Sequence, residues 1–285
     1  MVSDVTGKTG MLIIRAIIAG ERDPVVLAQH RQRNCRKDEA TIAASLEGHY
    51  RAEHLFALQQ AVEFYDFYQQ QIAACNLQIA AQLQQMSGKA DPSELPDLPK
   101  ARSKHPLLFD VRSELYRLTG VDLTRIDGMN EGSVLKVLAE TGTDMSHWPT
   151  EKHFASWLGL CPGNKVTGGK ILNSKTKPCA NRAAATFRLC AFSLFSSNSA
   201  LGAYFRRQRA RLGAPKAITA TAHKLARIFY SMLKNGQEYV DQGRDEYEKQ
   251  YQERVLSNLK KKAASLGYQL MPDANKEGAM EGLKV

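Results

Sequence analysis

The strongest pattern of apolar positions lies between Leu55 and Met86. Leu55, Leu58, Val62, Tyr65, Tyr68, Ile72, Cys75, Ile79, Leu83 and Met86 recur at steps of three and four, and glutamine fills much of the rest. Side chains at that spacing share one face of a helix, so the run predicts a single long amphipathic helix with about four heptads of seam. Such a seam serves either its own domain's core or a coiled coil between two protomers. The first fifty residues predict short helices: an apolar run follows Gly10 and stops at Gly20, and Asp23-Pro24 opens the next helix. Gly88 to Pro106 carries four of the ten prolines and predicts a linker. From Leu107 to Val240 helical patterns alternate with Gly, Pro, Asn and Lys turns, and no run of alternating strands stands out. Residues 241–270 predict a charged helix, and the last dozen residues a frayed end. The expected architecture is mostly α: a helical arm over 1–87 with a long coiled-coil-like helix, a linker over 88–106, a compact helical domain over 107–240, and a charged C-terminal helix and tail over 241–285.

Composition removes several function classes. Hydrophobic residues make up 43% of the 285 and charged residues 24%, which excludes wholesale disorder. The apolar stretch Met11–Ala19 is interrupted by Arg15, is too short to cross a bilayer and lacks a signal-peptide layout. The five cysteines are scattered without a CxxC pair, and the seven histidines do not cluster with them at metal-ligand spacing. The expectation is a reduced cytoplasmic protein with no membrane segment, and with neither a metal site nor a cofactor in this chain.

Charge changes the picture most. The net charge is +10, from 39 Lys and Arg against 29 Asp and Glu. Between Cys161 and Gln237 lie fourteen Lys and Arg and not one Asp or Glu, so the rest of the chain sums to −4. A solvated helix face accounts for a basic hexamer such as Arg206-Arg207-Gln208-Arg209-Ala210-Arg211, but poorly for an acid-free stretch of this length. Sequence-independent contact with phosphates accounts for both. Tyr204, Arg206, Arg207, Arg209 and Arg211 are candidate lining for a DNA or RNA groove, with Tyr204 stacking on a base; helix core is the competing reading for Tyr204.

Two local motifs carry candidate chemistry. Ile126-Asp-Gly128-Met-Asn-Glu-Gly132 precedes a helix over Ser133–Glu140 that ends at Gly142. A glycine-rich turn before a helix N-terminus exposes backbone N–H groups to a phosphate, as in helix-hairpin-helix DNA binding. Glu131 departs from that pattern, and a tight helix corner is an equal reading of Gly128 and Gly132. The second motif is Asn164-Lys165-Val166-Thr167-Gly168-Gly169-Lys170. A hydroxyl before two glycines, flanked by lysines, suits a phosphoryl-transfer nucleophile, because the glycines admit a phosphate and Lys165 and Lys170 stabilise its charge. Thr-Gly-Gly also makes an ordinary turn. Ser174 and Ser156 are alternative hydroxyls, and His223 is a general base only if the fold brings it to Thr167.

Several further stretches carry a family resemblance. They are Phe154-Ala-Ser-Trp-Leu-Gly-Leu-Cys-Pro162, the Lys165–Lys170 loop, Ala180-Asn-Arg-Ala-Ala-Ala185, Ala200-Leu-Gly-Ala-Tyr-Phe-Arg-Arg207 and Ala220-Thr-Ala-His-Lys-Leu-Ala226. With Tyr50-Arg-Ala-Glu-His-Leu-Phe-Ala-Leu58 they resemble bacterial transposases of the insertion-sequence-110 family, close to the insertion-sequence-1111 subgroup. The resemblance implies a recombinase that cuts and rejoins DNA, in which a serine in a Ser-Gly-Gly context becomes covalently linked to DNA. Thr167 stands at that position here, with Gly168 and Gly169. By the same resemblance Lys170, Lys175, Lys177 and Arg182 face phosphate, some members use a structured guide RNA, and a bacterial cytoplasmic protein is expected. Divalent metal is expected only in the family's N-terminal ribonuclease-H-like domain, which would precede Met1. A homodimer or higher oligomer through residues 55–86 is expected. The competing function is a non-catalytic, dimerising nucleic-acid-binding remnant or modulator of a full-length transposase.

Overall fold

The computed structural model describes residues 4–33, 35–96, 107–173 and 175–271, and these form two compact units, 1–78 and 79–285. The predicted frayed end and the 97–106 part of the linker lie outside the described residues.

The first unit holds α1 (Lys8–Ile18), α2 (Pro24–Ala28), α3 (Glu39–Leu46) and most of α4 (Ala52–Gln85). Its starts follow from capping. Asp23 accepts a hydrogen bond from the Val25 N–H at 2.8 Å with Pro24 in the first turn, and Asp38 accepts from the Thr41 N–H at 3.0 Å. Ile13, Ile17, Leu27, Ala28 and Ile42 are buried together, with Leu55 and Leu58 packed against them. Arg15 pairs with Asp66 at 2.6 Å and ties α1 to α4.

The long helix is present as its periodicity predicts, but burial follows the seam only over its first turns. Leu55 and Leu58 join the core and Val62 is buried. Further along the same seam Tyr68 is 61% exposed, Ile72 52% and Met86 47%.

The second unit is a helical cluster. Its elements are α5 (Val111–Thr119), α6 (Glu131–Thr141), α7 (Glu151–Trp157), β1 (Lys165–Thr167), β2 (Lys170–Asn173), α8 (Arg182–Ser193), α9 (Ala200–Leu212), α10 (Ala214–Asn235) and α11 (Arg244–Ser265). Short 3-10 turns at Leu123–Arg125 and Leu194–Ser196 bend the chain before α6 and after α8. Side-chain caps start most of these helices: Asn130 accepts from the Ser133 N–H, Asn181 from Ala184 and Ser199 from Gly202. Gly120 and Gly236, both in the left-handed region, end α5 and α10.

The core runs through α5 to α10. Phe229 of α10, fully buried, stacks on Phe154 of α7 with centroids 6.5 Å apart and meets Phe187 of α8 edge-on at 5.5 Å. A polar clasp holds the α5–α6 corner. Asp122, 3% exposed, takes the Arg112 guanidinium through two N–H groups at 2.6 and 3.1 Å, and accepts from the Thr124 N–H and hydroxyl. α11 has no buried residue and packs on α9.

No run of alternating strands stands out in the sequence of this domain. The structure instead inserts a two-stranded hairpin between α7 and α8. Its strands are three and four residues long, too short to give a readable alternation.

Candidate nucleic-acid and phosphoryl-transfer site

The hairpin is anchored at both ends by core residues: Leu158 and Leu160 before it, Ala183 and Ala184 after it. At its base the Gly163 N–H donates to the Lys175 carbonyl at 3.0 Å, and Pro162 pairs with Thr176. β1 and β2 are antiparallel, with Thr167 opposite Lys170 and Val166 opposite Ile171. The register slips between Lys165 and Val166. Two residues therefore make the turn. Gly168 has φ +54° and Gly169 φ +76°, the left-handed pair that a two-residue hairpin of matching twist requires. Any other L-residue there adopts a strained backbone, whereas space is open: a Cβ on either glycine would meet nothing within 4 Å.

This geometry puts Thr167 at the last strand position before an open turn. It is exposed, and its hydroxyl makes no hydrogen bond to the described residues. Lys170, opposite Thr167, is exposed at the tip, Lys175 and Lys177 are exposed at and beyond the hairpin base, and Lys165 occupies the first position of β1. Ser174 lies outside the described residues; Ser156 is exposed on α7. His223 is on α10 near Arg227 and Glu151. Burial and then Arg227 lower its pKa, so the imidazole is neutral near pH 7. No contact among the described residues joins it to Thr167.

The remaining candidates sort into exposed and engaged. Arg182 is 85% exposed and pairs with Glu140 of α6 at 2.7 Å, a contact water largely screens. Arg211 is exposed and bonds only Gln208. Arg206 donates to the carbonyls of Phe195 and Ser197 at 3.1 and 2.6 Å. Arg207 pairs with Glu248 of α11 and lies 3.3 Å over the Tyr251 ring, and its Nη1 is buried with no hydrogen-bond partner among the described residues. Arg209 lies 4.5 Å over the Phe195 ring. Tyr204 is half-buried beneath Lys224, whose ammonium is 4.6 Å from the ring, and burial raises its hydroxyl pKa. Gly128, at φ +83°, packs so closely on α8 that a Cβ would come within 2.8 Å of the Cys190 carbonyl. Gly132 lies in the first turn of α6, beside the capping Asn130.

Sequence reasoning missed the outer face of α8 and the turn after it, where Leu189, Phe192 and Phe195 are exposed. The available signal was Leu189 and Phe192 in addition to Phe187, Cys190 and Ala191, more apolar positions than one buried face needs.

The 3-10 turn at Leu123, the hairpin and most of α9 fall inside one matched segment. Residues 122–206 match the family model described as Transposase IS116/IS110/IS902 family. Over these residues the chain is similar to the transposases of this family. A stretch of 118 residues is 34% identical to the "Insertion element IS110 uncharacterized 43.6 kDa protein" of Streptomyces coelicolor, covering 39% of this chain and 27% of that protein. The match thus spans about a quarter of the relative's length. Thr167 and its two glycines sit within the matched segment, as do Gly128, Arg182 and Arg206. Among the described residues no group of three or more His, Cys, Asp or Glu offers a seat for a metal ion. No described helix is long and apolar enough to cross a membrane.

Proposed function

We propose that this chain serves DNA transposition as a transposase-type recombinase, binding DNA and cutting and rejoining strands through the Thr167 hydroxyl. The observation that carries the reading is an exposed hydroxyl with no hydrogen bond to the described residues, at the open tip of a glycine hairpin, inside an acid-free stretch of the segment that matches transposases. In the step, Thr167 Oγ1 attacks a backbone phosphorus and its proton passes to water. One sugar oxygen leaves and takes up a proton as a hydroxyl. A phosphodiester to protein replaces one within DNA, so the bond is conserved and no energy-rich cofactor enters. Lys170 supplies positive charge beside the attacked phosphate and Lys165, Lys175 and Lys177 supply it along the hairpin to the neighbouring backbone, while Gly168 and Gly169 leave room for approach. The threonine methyl restricts χ1 relative to serine. The resemblance adds a structured guide RNA as a second polyanion for the same basic surface, and a cytoplasmic setting.

The test is a covalent adduct with labelled DNA, read on a denaturing gel. The native chain is expected to form it, Thr167→Ser to form it faster and Thr167→Ala to form none. Retention of the adduct in Thr167→Ala, or its absence from every variant while DNA is still bound, overturns the reading.

One observation favours a non-catalytic, dimerising reading as well: the α4 seam beyond Val62 lies exposed at Tyr68, Ile72 and Met86. A parallel or antiparallel copy of the same helix would cover it. Sedimentation of the native chain is expected to show a dimer or higher oligomer, and Ile72→Glu with Ile79→Glu to give a monomer of unchanged helicity. A native monomer sinks the dimer.

A further inference from the structure

We propose that the outer face of α8 and the 3-10 turn that follows it form a stacking platform for unpaired bases of single-stranded nucleic acid. The proposal rests on the reading that nucleic acid is the partner of this domain.

One face of α8 is core: Ala183, Phe187, Cys190 and Ala191 are all buried. The opposite face is not polar, as it is on an ordinary surface helix. Leu189 is 71% exposed and Phe192, three residues on, is 62% exposed; Phe195 follows in the turn at 48%. Steps of three place these side chains on one side of the helix and its extension. Two neighbouring, solvent-facing phenylalanines are costly to leave open to water, which marks the patch as a binding surface.

The surroundings select the occupant. Arg209 lies over the Phe195 ring at 4.5 Å, and Phe205 braces the same ring edge-on at 6.4 Å and 84°. Arg206 holds the backbone beneath it through the Phe195 and Ser197 carbonyls. Arg188 sits one turn before Phe192. The whole segment lies in the stretch that contains no carboxylate. An apolar protein helix would be served by the phenylalanines but has no use for the arginines beside them. A chain of flat rings joined by phosphates uses both: the rings stack on Phe192 and Phe195, and the guanidiniums meet the backbone. Bases paired within a duplex have no free faces, so the ligand is single-stranded.

The experiment uses the full chain with an oligothymidylate and with a duplex of equal length, each followed by fluorescence anisotropy. Phe192→Ala and Phe195→Ala are each expected to weaken oligothymidylate binding about tenfold, the scale of one lost stacked base. Duplex affinity should change less than about twofold, and the salt dependence should be unaltered because no charge is removed. Phe192→Tyr should bind as the native chain does, and Phe192→Leu should behave like the alanine variant. Both rings are exposed, so circular dichroism should show native helicity throughout. Full affinity in Phe192→Leu, or equal losses on single strand and duplex, overturns the platform. Duplex binding without oligothymidylate binding also overturns it, while leaving the reading of DNA as partner intact; binding of neither overturns both. If the alanine variants alter sedimentation and not oligonucleotide affinity, the face joins copies of this chain and the platform fails.

Discussion

Replacing Phe229 with alanine is expected to destabilise the second unit by about 3–5 kcal/mol, the range for removing a fully buried phenylalanine from a core. The ring has no exposed surface and joins three helices, through Phe154 on α7 and Phe187 on α8. Its loss leaves a cavity where α10 crosses both, and the edge-on contact adds its own share. These are the two helices between which the hairpin is strung, so the hairpin base should loosen as well. Urea unfolding followed by tryptophan fluorescence reports the change, because Trp148 and Trp157 pack against Phe154. A lower midpoint at unchanged slope is expected. A loss below about 1 kcal/mol would show that the three helices are held together elsewhere.

Asp122→Ala is expected to cost about 3–5 kcal/mol for a different reason. Asp122 is almost wholly buried and Arg112 mostly so, with side chains 3% and 17% exposed. Removing the carboxylate strands a guanidinium without its counter-charge, which is far more costly than the net value of the pair. The same substitution removes the acceptor for the Thr124 N–H that starts the 3-10 turn before α6. Asp122→Asn keeps an acceptor oxygen and should lose less. Adding Arg112→Met to Asp122→Ala should recover part of the stability, because no buried charge is then left alone. If the double variant is as unstable as the sum of the singles, the stranded charge is not the cause. Both substitutions are far from Thr167 in the chain and act on stability first.

Helix content was legible in the sequence and site geometry only in part. The three-and-four spacing from Leu55 to Met86 located α4 to within a few residues, because helix periodicity is a local property. Which part of that seam is covered is not local, and only the packing of α1 to α3 shows that coverage stops near Val62. The hairpin was missed although its signal was present: two adjacent glycines between short β-branched segments favour a two-residue hairpin. Three- and four-residue strands gave too little alternation to compete with the helices on either side. The arginine run was read correctly as dense charge. That Arg207 turns onto Glu248 and Tyr251 depends on partners some forty residues away in sequence. Tyr204 was the natural aromatic to choose beside arginines, yet α9 turns it inward while α8 turns Phe192 outward.

The acid-free stretch has one more consequence. Its fourteen cations are all lysine or arginine, whose ordinary pKa values lie above about 10. His223 is its one histidine, and burial lowers the pKa of both His223 and Lys224. The charge of this surface therefore comes almost wholly from groups of high ordinary pKa, and ionic strength is the direct control on its hold of a polyanion.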